Sequence, residues 1–202
     1  MGLRRFPNRQ YRSREHLTPN EAHRLIEAAG QRGRYPLRDR ALLLLMYRHG
    51  LRAGEAVRLR WDAVMWEEPA ISIQRLKNSV DGIHPLQPDE VALLLHLHQG
   101  QGSTFLFMGE RGGPLTTGAI AQIIRRSAQQ AQLSIQVHPH MLRHSCGYAL
   151  AEQGLPTRDI QDYLGHRNIQ NTVRYTAGNP ARFLRITWTL QTEAPKEQGA
   201  SN

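Results

Sequence analysis

Residues 156–176 read P-T-R-D-I-Q-D-Y-L-G-H-R-N-I-Q-N-T-V-R-Y-T, and this stretch does most to decide the fold of the 202-residue chain. Short helices are predicted at about 156–163 and 168–176, on either side of a turn that contains Gly165. A helix, a glycine-containing turn and a second helix with polar side chains are typical of a helix-turn-helix DNA-binding motif. Taken by itself, the stretch therefore predicts an α-rich fold and favours a nucleic-acid ligand.

The chain on the N-terminal side of this stretch is also mainly helical. Thr18-Pro19-Asn20-Glu21 has the pattern of a helix start, with Thr18 as the N-cap and Glu21 as its capping-box partner. The helix predicted at about 36–48 is apolar nearly all round, so we expect it to be buried at the centre of the domain. Further helices are predicted at about 53–59, 89–98, 116–131, 140–153 and 180–189.

One part of the chain has the pattern of β-structure. Residues 70–76 alternate between polar and apolar side chains and, with Ile83–Leu86, predict a β-hairpin that has Lys77 beside its turn. Thr104–Phe107 is predicted as a short third strand. Together the patterns predict a fold class that is mainly α with a small antiparallel β-sheet (α+β).

The distribution of charge and length divides the chain into three segments. Residues 1–17 carry five arginines and few apolar side chains, which predicts a basic and largely disordered N-terminal arm. Residues 18–189 are predicted to form one folded domain, since the hydrophobic content of 40% is enough for a single core. Residues 190–202 are predicted to be a polar C-terminal tail.

Arginine dominates the basic residues of the chain. Lys+Arg is 26 and Asp+Glu is 17, which gives a net charge of +9; 24 of the 26 basic residues are arginines, and Lys77 is the only lysine outside the tail. Arginine stays charged and pairs bidentately with phosphate, so this positive field predicts a polyanionic partner, most simply nucleic acid. High-GC coding is an alternative origin of the arginine bias, but it leaves the positive charge in place.

Several classes of protein are excluded. The longest apolar run, 41–47, is far shorter than the roughly 20 residues that cross a bilayer. The N-terminus lacks the apolar segment of a secretory signal. Cys146 is the only cysteine, which excludes an internal disulfide and a cysteine-based zinc site, and it is predicted to be a small buried residue. We therefore expect a cytoplasmic protein with no membrane partner.

Five short stretches carry residues that suit phosphate chemistry. Each has an ordinary structural explanation by itself: Arg52 and Glu55 have the spacing of a helical ion pair, and Lys77 has the position of a solvated edge charge. His140 and Arg143 fall on one face at the start of a helix, where an anion is favoured. The stretches are H-G-L-R-A-G-E (49–55), R-L-K-N-S (75–79), H-P-H-M-L-R-H (138–144), L-G-H-R-N (164–168) and T-V-R-Y-T (172–176).

A metal site is the alternative interpretation for three histidines. His140 and His144 have the i, i+4 spacing of a zincin pair, and His138 is close to them in sequence. The zincin pattern requires a glutamate after the first histidine, however, where this chain has Met141, and no carboxylate follows before Glu152. We therefore predict no metal and no cofactor.

Taken together, the five stretches resemble the tyrosine recombinase (phage integrase) family, whose signature residues occur in the order Arg, Lys, His-x-x-Arg, His or Trp, and Tyr. The resemblance covers about residues 18–188. H-P-H-M-L-R-H-S-C-G (138–147) and I-Q-D-Y-L-G-H-R-N-I (160–169) are most similar to the small invertases that flip fimbrial promoters in enterobacteria. The resemblance implies the tyrosine recombinase catalytic-domain fold and six catalytic residues: Arg52, Lys77, His140, Arg143, His166 and Tyr175.

The reaction that the resemblance implies is transesterification at a DNA phosphodiester. Tyr175 would attack phosphorus to give a 3′-phosphotyrosine and a free 5′-hydroxyl, and Lys77 would give a proton to the leaving oxygen. Arg52 and Arg143 would bind the non-bridging oxygens, and His166 would donate a further hydrogen bond.

The resemblance also implies roles for the residues around this set. His140 would accept the tyrosine proton or orient the phosphate, and Glu55 would orient Arg52. His138 and His144 are interpreted as structural or supporting residues. Three arginines that flank the site would touch neighbouring phosphates, namely Arg75, Arg167 and Arg174.

The partners implied by the resemblance are double-stranded DNA with inverted-repeat sites, a homotetramer assembled on that DNA and accessory DNA-bending proteins, all at the bacterial nucleoid. Most family members carry a further N-terminal helical domain, for which residues 1–17 are too few, so we expect weak and salt-dependent binding by a monomer. Residues of about 180–202 are expected to pack on a neighbouring protomer. Two other functions stay open: a non-catalytic DNA-binding regulator that keeps the fold, and type IB topoisomerase-like strand relaxation.

Overall fold

The computed structural model describes residues 14–76, 79–99 and 102–179, together with Phe183 and Ile186. This part of the chain forms eight α-helices and one three-stranded antiparallel sheet, which confirms the predicted fold class. The helices are α1 (Pro19–Gln31), α2 (Pro36–Arg48), α3 (Ala53–Ala56), α4 (Pro88–Gln99), α5 (Thr117–Gln130), α6 (Pro139–Glu152), α7 (Thr157–Leu164) and α8 (Gln170–Thr176). The strands are β1 (Val64–Met65), β2 (Ala70–Ile73) and β3 (Gly82–Pro85).

The start of α1 is fixed by the capping box that the sequence predicts. The Oγ1 atom of Thr18 accepts a hydrogen bond from the Glu21 amide at 3.3 Å, and the Glu21 carboxylate accepts one from the Thr18 amide at 2.8 Å. Just before this cap, Leu17 is buried and its amide donates to Ser145 Oγ at 2.8 Å. The last residues of the predicted arm are thus tied to α6, while residues 1–13 lie outside the described chain.

The centre of the main core is α2. Residues 42–46 are all buried, as their apolar character on every face predicts, and the helix packs against α1, α4 and α6. The same core takes in Ile71 and Ile73 from the sheet and Ile120 from α5. Within the described ranges, no helix has both the length and the apolar character needed to span a bilayer.

The hairpin predicted from the sequence is formed by β2 and β3, in which Ile71 pairs with His84. The third strand is β1, which pairs with β2. The prediction of a strand at Thr104–Phe107 is wrong, because this segment makes a single bridge, between Phe105 and Arg60. Its last two side chains are buried in the core, so burial in a loop, and not strand pairing, explains their apolar character.

A second, smaller apolar cluster lies between the C-terminal helices. It consists of Cys146, Ala151, Ile160, Leu164 and Tyr175, and it joins α6, α7 and α8. Cys146 is buried as predicted. Most of the helix predicted at 180–189, and all of the predicted tail, lie outside the described residues.

A buried polar cluster connects β3 with α2 and α7. The His84 ring stacks on the Tyr163 ring with centroids 3.8 Å apart, and its Nδ1 lies 3.3 Å from Nδ1 of His49. The Nε2 atom of His49 is 3.2 Å from the Glu90 carboxylate. Burial, followed by the charges of His49 and Arg75, lowers the pKa of His84 to about 3, so this ring is neutral at neutral pH.

Substitution of this histidine, His84→Phe, should make the protein less sensitive to acid. The pKa of His84 rises from about 3 in the folded protein to its ordinary value of 6.5 in the unfolded chain. Between these values the unfolded chain binds the extra proton, so stability falls as the pH falls. Phenylalanine keeps a ring against Tyr163 and removes the titration. We expect the loss of unfolding free energy between pH 7 and pH 5, measured by urea denaturation, to shrink by on the order of 2 kcal/mol.

The control for this prediction is His23→Phe, which changes an exposed histidine on α1. It should leave the pH dependence of stability unchanged. An acid sensitivity that is the same in His84→Phe and in the unmodified protein would contradict the prediction.

Candidate active site

A buried carboxylate organises the candidate site. Glu55 on α3 is 2% exposed; its Oε1 accepts a hydrogen bond from Arg52 Nη1 at 2.6 Å, and its Oε2 accepts one from Arg75 Nη1 at 2.9 Å. The backbone amides of Arg52 and Leu76 also donate to it, at 3.0 and 3.2 Å. Burial alone would raise the pKa of Glu55, but the Arg52 amide and the charge of Arg75 outweigh burial and hold this pKa below its ordinary value. Glu55 is therefore an anion at neutral pH.

The side chain of Arg75 is an internal support. It is 1% exposed, and its Nη2 donates to the carbonyl oxygens of His49 and Tyr163 at 3.0 and 2.8 Å. Its Nη1 also points towards the Gly50 carbonyl at 3.3 Å. The expectation that Arg75 touches a neighbouring phosphate is therefore wrong, because oxygens of the protein use both N–H groups of each terminal nitrogen. Instead, Arg75 joins the end of α2 to the end of α7.

Arg143 reaches the same place from α6. Its Nη1 donates to the Gly50 carbonyl at 2.5 Å and its Nη2 to the Leu164 carbonyl at 2.6 Å, while Nη1 lies 3.8 Å from Glu55 Oε2. Burial, followed by the charges of Arg75 and Arg52, lowers its pKa to about 10, so Arg143 stays charged at neutral pH. Each terminal nitrogen of a guanidinium carries two N–H groups, and these carbonyl bonds use one on each.

Arg52 is the most exposed of the three arginines around Glu55. Its side chain is 29% exposed, and its Nη1 donates to Ser79 Oγ at 3.2 Å as well as to Glu55. The predicted catalytic residue Lys77 lies outside the described residues. Its described neighbours reach this site from both sides, since the Leu76 amide donates to Glu55 and Ser79 accepts from Arg52.

The turn between α7 and α8 carries His166. Gly165 ends α7 in the left-handed region with φ of +68°, and a Cβ there would lie 2.4 Å from the Val80 carbonyl oxygen. Only glycine combines this backbone conformation with such a close approach. The Nε2 atom of Gln161 donates to the His166 carbonyl at 2.7 Å, and His166 Nδ1 shares a hydrogen bond of 2.9 Å with Thr172 Oγ1. These contacts hold the turn in one position.

The His166 ring is neutral at neutral pH. Burial, followed by the charges of Arg143 and Arg52, lowers its pKa to about 4. The ring lies nearly parallel to that of Tyr175, with centroids 6.5 Å apart. A neutral imidazole at this place can donate a hydrogen bond without adding positive charge to the arginine cluster.

His140 lies in the first turn of α6, one turn before Arg143, and is exposed. Burial of part of its ring, followed by the charge of His138, lowers its pKa. The alternative interpretation from the sequence was a metal site formed by His138, His140 and His144. In the structure, Nδ1 of His144 instead shares a hydrogen bond with the hydroxyl of Tyr175. Within the described part of the chain, no three His, Cys, Asp or Glu side chains are arranged as metal ligands.

Tyr175 is buried, although it is carried by the short helix α8. The residue is 3% exposed, and its hydroxyl shares a hydrogen bond of 3.0 Å with Nδ1 of His144. Its ring lies against Gly147 on α6, where a Cβ would come within 2.6 Å of a ring carbon. The ring of Tyr148 meets it edge-on, with centroids 5.1 Å apart. Burial raises the pKa of Tyr175 to about 12, so the phenol is protonated at neutral pH.

Four of the six residues predicted from the sequence lie in one continuous set of contacts that runs from the start of α3 through α6 and the turn after α7 to α8: Arg52, Arg143, His166 and Tyr175. The i, i+3 spacing indicated the contact between Arg52 and Glu55. No spacing indicated that His144 contacts Tyr175 or that Arg75 is buried, since both contacts depend on how distant helices pack.

Comparison with known proteins agrees with this fold. Residues 15–182 match the Phage integrase family. The chain is 43% identical to the type 1 fimbriae regulatory protein FimE of Escherichia coli K12 over 177 residues, which is 84% of this chain and 89% of the relative. It is 42% identical to the type 1 fimbriae regulatory protein FimB of the same strain, over 87% of this chain and 90% of the relative.

Solved structures give the same result. The crystal structure of XerA recombinase superposes with a TM-score of 0.72 at 28% identity, covering 89% of this chain and 66% of that one. The XerH site-specific recombinase bound to its difH substrate superposes with a TM-score of 0.73 at 22% identity, covering 84% of this chain and 52% of that one. The chain therefore spans two thirds or less of the length of these two structures.

A helical domain with one small antiparallel sheet, superposable on these proteins, defines a tyrosine recombinase catalytic domain. The chain belongs to the phage integrase family, because the family covers most of its length and its relatives exceed 40% identity over most of theirs. The family, fold class and enzyme class predicted from the sequence are thereby confirmed.

Replacement of the central carboxylate, Glu55→Gln, should strongly destabilise the protein. The change leaves the buried guanidiniums of Arg75 and Arg143 without their anion, and breaking a buried ion pair in this way typically costs about 3 kcal/mol or more. Urea denaturation would measure the loss of unfolding free energy. Asp62→Asn, which removes an exposed carboxylate that pairs with Arg60, is the matched control and should cost far less. Equal effects of the two changes would contradict the central position of Glu55.

Proposed function

We propose that this protein is a site-specific DNA recombinase that inverts a DNA segment, with a fimbrial promoter element as its target. The observation that carries this proposal is the similarity to FimE and FimB, both named type 1 fimbriae regulatory proteins, over 89% and 90% of their length. A recombinase fold explains how such a regulator can act by rearranging DNA. The proposed place of action is the bacterial cytoplasm, at the nucleoid.

The proposed reaction is a transesterification in two steps. The Tyr175 oxygen attacks a backbone phosphorus, the bond from phosphorus to the 5′-oxygen breaks, and a 3′-phosphotyrosine forms while the 5′-oxygen leaves with a proton. The 5′-hydroxyl of another strand then attacks the phosphotyrosine, and the phenol leaves with a proton. One phosphate ester replaces another in each step, so no external source of energy is required.

Arg52 and Arg143 are proposed to bind the non-bridging oxygens of the phosphodiester. The transition state places additional negative charge on these oxygens, and fixed guanidinium donors stabilise that charge without reorganising. Support comes from the contacts within the protein, in which Glu55 binds Arg52 and two carbonyls bind Arg143. These contacts orient the donors.

The two histidines of the site are proposed to complete the phosphate contacts. With the Nδ1 atom of His166 bonded to Thr172, its Nε2 would donate to a non-bridging oxygen. A nearby phosphodiester anion favours the protonated form of an imidazole, which strengthens this donor as substrate binds. His140, exposed in the first turn of α6, would orient the phosphate or accept the proton of the attacking phenol.

Lys77 is proposed to protonate the leaving 5′-oxygen. A lysine ammonium, with an ordinary pKa of about 10.4, gives up a proton far more readily than a guanidinium does. The arginine bias of the chain supports this assignment, because 24 of 26 basic residues are arginines and this lysine is the only one outside the tail. The contacts of its neighbours Leu76 and Ser79 with the Arg52–Glu55 pair also support this assignment.

The proposed partner is double-stranded DNA with inverted-repeat sites, bound by a homotetramer with the help of DNA-bending proteins. Support comes from the net charge of +9 and from structural neighbours that were solved with DNA, including XerH on its difH substrate and a lambda integrase dimer on a COC' core site. In this assembly residues of about 180–202 would pack on a neighbouring protomer.

A nicked half-site substrate, which traps the covalent intermediate, tests the nucleophile. The unmodified protein should form a covalent complex with DNA that is visible by denaturing gel electrophoresis, and Tyr175→Phe should abolish it because the attacking oxygen is gone. Tyr47→Phe, a partly buried tyrosine on α2, is the matched control and should still form the complex. Trapping by Tyr175→Phe would remove this residue from the role, and no trapping by the unmodified protein would favour a non-catalytic regulator.

A substrate with a 5′-bridging sulfur tests the proposed acid. Lys77→Ala should slow cleavage of ordinary DNA by about 100-fold or more, the usual range of general acid catalysis. It should cleave the phosphorothiolate at nearly the rate of the unmodified protein, because a thiolate leaves without a proton. The Lys196→Ala variant, which changes the other lysine of the chain, is the control. If the sulfur substrate does not restore the rate, Lys77 is not the acid.

A further inference from the structure

The proposed nucleophile has a well-defined position in the structure. Tyr175 packs in the small cluster between α6, α7 and α8, with its ring over Gly147 and its hydroxyl 3.0 Å from Nδ1 of His144. Among the described residues, His144 is the hydrogen-bond partner of this hydroxyl. Attack on a phosphodiester requires this hydroxyl, on a residue that is 3% exposed, to become accessible to the substrate.

The position of His144 explains why it, and not another residue of α6, makes this contact. It follows Arg143 directly, and successive side chains of an α-helix point about 100° apart. Arg143 therefore points towards Gly50 and Leu164, whereas His144 points towards α8. Gly147, one turn further along the same face, leaves the space that the tyrosine ring occupies.

The chemistry of the pair suits a hydrogen bond and not an ion pair. Burial, followed by the charge of Arg174, lowers the pKa of His144, and burial raises that of Tyr175. Both groups are therefore neutral at neutral pH. The hydroxyl can donate to Nδ1 with no charge separation, and the partners can part without leaving a buried charge behind.

We infer that His144 is a positioning residue that holds the hydroxyl of Tyr175 in its buried place against α6 until DNA binds. The inference rests on the proposed role of Tyr175 as nucleophile. It goes beyond that role because it assigns a function to His144, which takes no part in the proposed phosphate contacts. That function is to control the access of the phenol to the substrate.

The first test measures the accessibility of Tyr175 in the DNA-free, full-length protein. Acetylation by N-acetylimidazole is followed by tryptic mass spectrometry, and the arginines at 158, 167, 174 and 182 place Tyr163 and Tyr175 on different peptides. Tyr163, which is partly buried and donates to the Arg48 carbonyl, is the internal reference. We expect His144→Ala to raise the acetylation rate of Tyr175 by about 3- to 10-fold relative to Tyr163, the range of one neutral hydrogen bond.

Two isosteric variants make this test specific. Asparagine places an amide close to the position of Nδ1, so His144→Asn should keep Tyr175 protected, whereas glutamine places its amide one bond further out, so His144→Gln should behave like His144→Ala. Gly147→Ala, which inserts a methyl group where the ring lies, is the positive control for a displaced tyrosine. The inference would be overturned if Tyr175 were equally protected in the Asn, Gln and Ala variants of His144. It would also be overturned if Tyr175 were equally exposed in His144→Asn and His144→Ala.

The second test separates positioning from proton transfer in single-turnover cleavage of the nicked half-site. A positioning residue predicts that His144→Asn keeps the cleavage rate and that His144→Ala does not reduce it. If His144 instead accepted the phenol proton, both variants would lose rate together, and the inference would fail. His23→Ala, on the exposed face of α1, should match the unmodified protein in both tests.

The two proposals fail separately. If Tyr175→Phe still trapped DNA, Tyr175 would not be the nucleophile, yet the acetylation pattern of the His144 variants would still report the contact. Conversely, trapping that depends on Tyr175 together with unaltered acetylation in His144→Ala would leave the recombinase proposal intact and overturn the positioning role.

Discussion

The buried carboxylate of Glu55 is the constraint on which the rest of the site depends. A guanidinium removed from water is costly unless it is paired and hydrogen-bonded, and here Arg75 and Arg143 are both almost fully buried. One carboxylate cannot satisfy two such groups, so the remaining donors turn to carbonyls at the ends of α2 and α7. The negative ends of two helices thus share the neutralisation with Glu55. This requirement fixes the positions of α3, α6 and α7 relative to one another.

The site consequently has two parts, the arginine cluster around Glu55 and the buried side chain of Tyr175. The arginines are bound by Glu55 and by carbonyls at the ends of helices. Tyr175 is held by a smaller set of contacts, which consists of one hydrogen bond to His144 and the packing of the five-residue cluster. The structure therefore combines a cluster of oriented guanidiniums with a buried phenol.

Local patterns in the sequence predict those features of the fold that depend on neighbours along the chain. The capping box at Thr18 and the buried α2 are of this kind, and so is the β2–β3 hairpin. The strand predicted at 104–107 does not form, because a short apolar run has the same pattern in a buried loop as in a strand. The motif placed Arg143 among the site residues, but the partners of the adjacent His144 depend on the packing of α8 against α6, on which spacing along the chain has no bearing.

The membership of Tyr175 in a packed cluster has a consequence for how this protein can evolve. As the proposed nucleophile, Tyr175 would have to give up this buried surface each time it attacks, so the cohesion of the cluster would form part of the activation barrier. Substitutions at Ile160 or Leu164 that improve packing would lengthen the lifetime of the fold and at the same time lower the turnover of the enzyme. For the proposed DNA inversion, selection for a low switching rate would then act on these apolar side chains, none of which is among the proposed phosphate contacts.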